Sequence, residues 1–221
     1  MQGGGNDLTT LDWIKQEKLI AIVRGIKSEQ LLPLARALYD GGVKVMEVAY
    51  SMKDDDAVTA DSIRALCEQM KDRMCIGSGT VLSSWQAELT HRAGGKFIVS
   101  PDTCVEVIRK TKELGMVSIP GALTPTEAMK AYRAGADIIK LFPIASLGAS
   151  YVKAIKAPLS GVQFAAVGGV NLGNIPEYRK AGIECFGVGS NLVDKKALAA
   201  GDYAAITAIA EKYTETMHMD L

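Results

Sequence analysis

The chain has 221 residues, of which 48% are hydrophobic, and its 25 basic residues balance its 25 acidic ones. This length suits one domain with a substantial core. The charge balance leaves no basic surplus that would attract nucleic acid or an acidic membrane surface. We therefore expect a small molecule or a second copy of the chain as the partner.

Cysteine usage and the chain start bear on the compartment. The four cysteines form no CxxC pair, and the first residues contain neither a charged segment nor an apolar one. No stretch approaches the roughly 20 apolar residues of a membrane helix. Without a zinc or disulfide pattern, a reducing interior fits best, and we expect a cytoplasmic protein.

Short runs rich in β-branched residues recur along the chain. There are eight of them: LIAIVRG from 19, KVMEVAY from 44, CIGSGT from 75, KFIVSP from 96, MVSIPG from 116, IIKLFP from 138, VQFAAVGG from 162 and CFGVGS from 185. Stretches with helical periodicity separate them, with N-caps predicted at Ser28, Ser83, Thr124 and Asn171. Eight strand-helix units predict one α/β domain over residues 1–221, a (β/α)8 TIM barrel. An open doubly wound sheet is the competing architecture, and the count favours the barrel.

The two ends of the chain add helices to this pattern. Residues 8–18 predict an extra amphipathic helix ahead of the first strand, where it would cover the bottom of the barrel. Residues 203–216 predict the last helix. Residues 1–7 and 217–221 are expected to be frayed.

Two ionisable residues stand inside apolar strands. Lys140 lies in IIKLFP and Glu47 in VMEVA, and the alternation of side chains along a strand turns both away from their aliphatic neighbours, into the barrel. TIM barrels hold their reacting groups at the carboxyl ends of the strands. Burial lowers the pKa of a lysine, as a Schiff-base amine requires. The alternative is a structural lysine that reaches solvent or pairs with Glu47.

Glycines follow the last two predicted strands, in AVGGVN at 166–171 and GVGSN at 187–191. TIM barrels commonly bind phosphate between these loops, because glycine lets backbone N–H groups approach the anion. The candidate phosphate ligands are Gly168, Gly169, Gly189 and Ser190. Alternatively, these glycines only form tight turns.

Two further polar residues end predicted strands. Arg24 closes the first strand and Thr80 the third, and both side chains suit a carboxylate, although either could equally serve a surface turn. His91 lies in a predicted helix and His218 near the chain end. We therefore expect no metal centre.

Nearly the whole chain resembles the 2-keto-3-deoxy-6-phosphogluconate (KDPG) and 4-hydroxy-2-oxoglutarate (KHG) aldolases, class I enzymes on a (β/α)8 barrel that need no cofactor. The motifs that carry the resemblance are LIAIVRGI, GGVKVMEV, GSGTVL, KFIVSP, PGALTPTEA, IIKLFP, VGGVN and GVGS. The resemblance implies that Lys140 forms the Schiff base, that Glu47 is the general acid/base and that Thr80 binds the pyruvyl carboxylate. It also implies that Phe142 lies beside the pyruvyl group, and that the phosphate is bound by Gly168, Gly169 and Ser190.

The chain departs from the phosphogluconate pattern at two places. Ser51 stands where those enzymes usually have a substrate-binding arginine, and Ala166-Val167 stands where they usually have Pro-Thr. Together with Arg24, the stretch AVGGV is more similar to the branch that cleaves 2-keto-3-deoxy-6-phosphogalactonate, the epimer at carbon 4. Val167 removes a possible hydrogen bond to the substrate. The two epimers and KHG therefore all stay open as substrates.

From the residues and the resemblance together, we predict a retro-aldolase that releases pyruvate and an aldehyde, either glyceraldehyde 3-phosphate or glyoxylate. The resemblance also implies a homotrimer. Two alternatives stay open. One is a phosphosugar isomerase or epimerase on the same barrel, and the other is a non-catalytic protein that binds a keto acid or phosphate.

Overall fold

A computed structural model describes residues 8–219 of the chain. Its strands are β1 (Leu19–Val23), β2 (Val45–Ala49), β3 (Cys75–Gly79), β4 (Phe97–Val99), β5 (Val117–Ile119), β6 (Gly121–Ala122), β7 (Ile139–Leu141), β8 (Phe164–Val167) and β9 (Cys185–Val188). Its helices are α1 (Thr10–Glu17), α2 (Ser28–Asp40), α3 (Asp56–Gln69), α4 (Ser84–Arg92), α5 (Val105–Glu113), α6 (Pro125–Arg133), α7 (Gly148–Lys156), α8 (Ile175–Lys180), α9 (Lys195–Ala200) and α10 (Tyr203–His218). Helices thus alternate with the strands, as the sequence predicts.

The strands form one parallel sheet that closes through Pro120. The order is β5-β4-β3-β2-β1-β9-β8-β7-β6, and Pro120 alone separates β5 from β6. Proline has no N–H to donate, but its carbonyl accepts a hydrogen bond of 2.9 Å from the Lys140 backbone N–H. Counting β5 and β6 as one interrupted strand gives eight, so the predicted (β/α)8 barrel is confirmed.

Alternation along the strands separates two apolar layers. One face packs against the surrounding helices in the largest core cluster, to which β2 contributes Met46 and Val48. The other face fills the barrel interior with a smaller cluster that includes Val45, Phe97 and Ile138. Because side chains alternate in direction, Glu47, two residues after Val45, and Lys140, two residues after Ile138, also lie on the inner face. They are nearer to the carboxyl ends of the strands.

Helix α1 closes the opposite end of the barrel. Thr9 caps it by accepting a hydrogen bond from the Asp12 backbone N–H at 3.2 Å. Ile14 is fully buried in the interior cluster, with Leu11 and Trp13 packed beside it. The extra N-terminal helix and its predicted position at the bottom are therefore confirmed.

The C-terminal helix is longer than predicted. The sequence predicts a helix to residue 216 and a frayed end from 217, whereas α10 continues to His218. Met217 is fully buried in the main core, and this contact holds the last turn in place. The predicted frayed residues 1–7 and 220–221 lie outside the described part of the chain, so the single-domain prediction over 1–221 stays a prediction.

Two of the four predicted N-caps were right. Ser83 and Thr124 cap α4 and α6 through side-chain hydrogen bonds. Ser28 is instead the first residue of α2, and its hydroxyl contacts the hydroxyl of Ser62 at 3.0 Å. Asn171 accepts hydrogen bonds from the Gly173 and Asn174 backbone N–H groups, and α8 begins only at Ile175. In both cases the polar side chain is used by a local contact other than a cap.

Between residues 8 and 219, no helix has the length and apolar composition that crossing a membrane requires. In the same part of the chain, no three His, Cys, Asp or Glu side chains gather as a metal site. The thiols of Cys67, Cys75, Cys104 and Cys185 are free.

Candidate active site

A cavity of about 450 Å³ opens at the carboxyl ends of the strands. Nine of the ten predicted site residues line it: Arg24, Glu47, Lys140, Phe142, Val167, Gly168, Gly169, Gly189 and Ser190. The tenth, Thr80, is not on the cavity wall. The structure therefore brings together residues from the ends of five strands, β1, β2, β7, β8 and β9, that are far apart in the sequence.

Lys140 and Glu47 face each other across the barrel. Lys140 lies on β7 and Glu47 on β2, and these strands are opposite when β5 and β6 count as one. Only 4% of Lys140 and 2% of Glu47 are exposed. Both side chains thus reach the cavity from its deepest part, above the apolar cluster of the interior.

Burial shifts the pKa values of both groups in the direction that favours their neutral forms. It raises the pKa of Glu47 to about 7, although the positive charges of Lys140 and Arg24 oppose this rise. It lowers the pKa of Lys140, with Glu47 opposing the shift and Arg24 adding to it. A lysine with a lowered pKa is a better nucleophile near neutral pH, and a carboxyl group with a pKa near 7 can both take and give a proton.

Phe142 forms the wall beside the amine. The Lys140 Nζ lies 4.6 Å from the centre of its ring. A β-carbon built on Gly168 would lie 3.1 Å from Cδ2 of the same ring. The ring of Phe142 is therefore close both to the amine and to the first glycine loop.

Gly79 gives the Glu47 carboxyl group its place. Gly79 pairs with Ala49 at the end of β3, and a β-carbon built on it would lie 2.6 Å from Cδ of Glu47. Such a distance is too short for any pair of non-bonded carbon atoms. The small residues of the GSG stretch thus leave room for a carboxyl group inside the barrel.

Arg24 and Thr80 form one unit at the cavity rim. The Arg24 guanidinium donates a hydrogen bond of 2.9 Å to Oγ1 of Thr80. The Thr80 backbone has a φ of 55°, in the left-handed region. Thr80 thus contributes to the site by orienting Arg24. This role does not require Thr80 itself to lie on the cavity wall.

The glycine loops after β8 and β9 are tied together. Gly168 and Gly169 have φ values of 91° and 80°, which glycine adopts readily. The Asn174 Nδ2 donates to the Gly169 carbonyl at 2.9 Å, and the Asn191 Nδ2 donates to the Val170 carbonyl at 2.8 Å. The second bond joins the two loops that the sequence predicts as a phosphate site.

Val167 and Ser51, the two departures from the phosphogluconate pattern, differ in position. Val167 lines the cavity and packs so closely against Gly187 that a β-carbon there would lie 2.9 Å from Cγ2 of Val167. Ser51 lies off the cavity wall, and its hydroxyl accepts a hydrogen bond from the Lys53 backbone N–H at 3.1 Å. Val167 therefore touches whatever the cavity holds, whereas Ser51 does not.

Several wall residues were missed by sequence reasoning. These are Ile22, Gly25, Ile26, Val170, Gly187, Asn191, Val193 and Lys195. The period-two rule identifies Ile22 and Gly187, because each lies two residues before a predicted site residue on the same face. No comparable signal marks Lys195, which follows the last glycine loop at the first position of α9.

Known proteins are similar to this chain over most of its length. The family model described as "Aldolase: KDPG and KHG aldolase" matches residues 11–209. A probable 2-dehydro-3-deoxy-6-phosphogalactonate aldolase of Rhizobium meliloti is 40% identical over 188 residues, which cover 85% of this chain and 86% of the relative. The 2-dehydro-3-deoxy-6-phosphogalactonate aldolase of Escherichia coli K12 is 37% identical over 183 residues, 82% of this chain and 87% of the relative.

A solved structure shows the same fold. It is the KDPG aldolase of Legionella pneumophila, with pyruvate captured as a covalent carbinolamine, at a TM-score of 0.80 and 27% identity. The match covers 91% of this chain and 96% of that one. The chain therefore belongs to the KDPG and KHG aldolase family.

Proposed function

We propose that the protein is a class I aldolase that cleaves a 2-keto-3-deoxy-6-phospho sugar acid into pyruvate and glyceraldehyde 3-phosphate. The observation that carries the proposal is a buried lysine with a lowered pKa, opposite a buried carboxyl group with a pKa of about 7. An isomerase or epimerase on the same barrel would have no use for the amine. The carbinolamine captured in the Legionella pneumophila relative supports amine chemistry at this site.

The reaction begins at Lys140. Its neutral amine adds to the ketone at carbon 2 of the substrate, and the carbinolamine then loses water to form an iminium ion. The Lys140 Nζ, which becomes the iminium nitrogen, lies 4.6 Å from the centre of the Phe142 ring. An aromatic face favours a cation at such a distance, so Phe142 stabilises the charged intermediate.

Cleavage depends on Glu47. Its carboxylate takes the proton of the carbon-4 hydroxyl, directly or through water, and the bond between carbons 3 and 4 breaks. The electron pair of that bond moves toward the iminium nitrogen and leaves an enamine, while carbon 4 becomes the aldehyde. Protonation at carbon 3 and hydrolysis then release pyruvate and restore Lys140.

The ends of the substrate would be held by the rest of the cavity. Arg24, oriented by Thr80 at 2.9 Å, suits the carboxylate. Gly168, Gly169, Gly189 and Ser190 offer backbone N–H groups and a hydroxyl to the phosphate. Such remote contacts align the bond that breaks.

Val167 bears on the choice between the carbon-4 epimers. Its side chain lines the cavity and offers no hydrogen bond to a substrate hydroxyl. The relatives from Rhizobium meliloti and Escherichia coli K12 are both named for the galactonate epimer. We therefore favour 2-keto-3-deoxy-6-phosphogalactonate over KDPG and KHG, and rates with all three compounds would decide between them.

A homotrimer in the cytoplasm is the proposed state of the protein. Large apolar side chains with exposed fractions of 40% to 90% follow β2 and β3, namely Met52, Leu82 and Trp85. A second copy of the chain would cover them. The four free thiols support a reducing compartment.

Borohydride trapping tests the proposal. Incubation with pyruvate and borohydride should add one reduced pyruvyl group, and the modified peptide should contain Lys140. Lys156→Ala, which removes another partly buried lysine outside the cavity, is the control and should leave trapping unchanged. No adduct, or an adduct on another lysine, would contradict the mechanism.

A further inference from the structure

Lys195 lies on the wall of the same cavity as Lys140 and Glu47, although no motif marks it. It begins α9, directly after the loop that carries Ser190 and Asn191. Its side chain is exposed, as is that of Ser190. Lys195 therefore belongs to the rim of the cavity, on the side of the two glycine loops.

The charge of Lys195 is not used by the protein itself. Its neighbour Asp194 accepts hydrogen bonds of 2.8 Å from the Lys196 and Ala197 backbone N–H groups, so that carboxylate caps α9. Across residues 8–219, the ion pairs of the structure do not include Lys195. Lys195 thus lines the cavity and has no carboxylate partner among the described residues.

The cavity has positive charges on two different sides. Arg24 directly follows β1, but its guanidinium reaches past β2 to Thr80, which directly follows β3. This direction leads away from β9 and its loop, because β9 adjoins β1 on the opposite side from β2. On the β9 side, the cation that lines the cavity is Lys195. Two separated cations match a substrate with an anion at each end.

We propose that Lys195 binds the phosphate group of the substrate and determines the preference for phosphorylated over unphosphorylated sugar acids. The inference rests on the proposed function, since it assigns one end of that substrate. The glycine loops and Ser190 supply neutral donors, and Lys195 adds the point charge that a dianion requires. Arg24 then serves the carboxylate end alone.

Steady-state kinetics of Lys195→Ala test the inference. We expect kcat/KM for the phosphorylated sugar acid to fall about tenfold, mainly through KM, since charge-assisted contacts to an anion at an exposed rim have this order of effect. The same sugar acid without its phosphate should react at an unchanged kcat/KM. Lys195→Arg should retain most of the preference, because the charge is kept.

Lys196→Ala is the matched control. Lys196 is the next residue of α9 and is exposed, but it does not line the cavity. Its replacement should leave both substrates unaffected. An equal effect of Lys195→Ala and Lys196→Ala, or an equal loss on both substrates with Lys195→Ala, would overturn the inference.

A binding measurement separates this inference from the proposed function. The affinity for inorganic phosphate, measured by calorimetry, should fall about tenfold in Lys195→Ala and stay the same in Lys196→Ala, and neither result needs catalysis. If the wild-type protein cleaved no sugar acid, the proposed function would fail. If Lys195→Ala nevertheless bound phosphate more weakly than the wild type, the phosphate contact would stand. No phosphate binding by wild type, or equal affinity in Lys195→Ala, would sink the inference.

Discussion

The Glu47 carboxyl group occupies space that exists only because residue 79 has no side chain. A β-carbon there would lie 2.6 Å from Cδ of Glu47. Carbon atoms that are not bonded to each other pack at about 3.5–4.0 Å. In the proposed mechanism, Gly79 is therefore a positioning residue, which acts on the reaction through Glu47.

Gly79→Ala should move Glu47 and leave Lys140 in place. We expect imine formation with pyruvate to persist while the rate of aldol cleavage falls at least tenfold, since small misplacements of a reacting group are costly. Gly161→Ala is the control, because a β-carbon there meets nothing within 4 Å. Trapping and cleavage that decline together would point to general unfolding instead.

The pKa of Glu47 should control the pH profile of cleavage. Its value of about 7 is raised by burial, and only the carboxylate form can accept the carbon-4 hydroxyl proton. Below pH 7, protonation of Glu47 should therefore lower kcat/KM by up to tenfold per pH unit, and this contribution should level off above pH 7. Glu47→Gln should react slowly, and its kcat/KM should not show this fall below pH 7. If Glu47→Gln still showed the fall, the titration would belong to another group.

At the scale of elements, alternation along strands was enough to place the two central groups. Lys140 on β7 and Glu47 on β2 follow the period-two rule, which depends only on local backbone geometry. The interruption of the fifth strand at Pro120 is a different case. Closure there depends on partners from both β4 and β7, and no local pattern contains that information.

The rim of the cavity was less predictable than its floor. Thr80 matches a motif position, yet its hydroxyl accepts from Arg24 and lies off the wall. Lys195 begins a short helix, α9, that the sequence analysis did not predict. Rim residues belong to loops and helix ends, where side-chain direction follows from tertiary contacts and from no repeating rule.

At the scale of the whole molecule, we expect the exposed residues Met52, Leu82 and Trp85 to form part of the contact between the chains of the proposed homotrimer. Light scattering on the purified protein should give the mass of three chains. Trp85→Glu should shift the mass toward one chain, because a carboxylate would have to be buried in the contact. Tyr132→Glu, at an exposed residue of α6, is the control. A monomeric wild type, or a trimer unchanged by Trp85→Glu, would contradict the proposed contact.

Helix α1 covers one end of the barrel, and this bears on the order in which products leave. Ile14 fills the bottom, Lys140 is 96% covered, and the glycine loops lie nearer to the mouth. In the proposed mechanism, the covalent step thus takes place at the deep end of the cavity that opens at the carboxyl ends of the strands. We expect ordered release, because the phosphorylated aldehyde can leave while the pyruvyl fragment is still attached to Lys140. In the synthetic direction we expect pyruvate to enter first, since an aldehyde that arrived early would stand between it and Lys140.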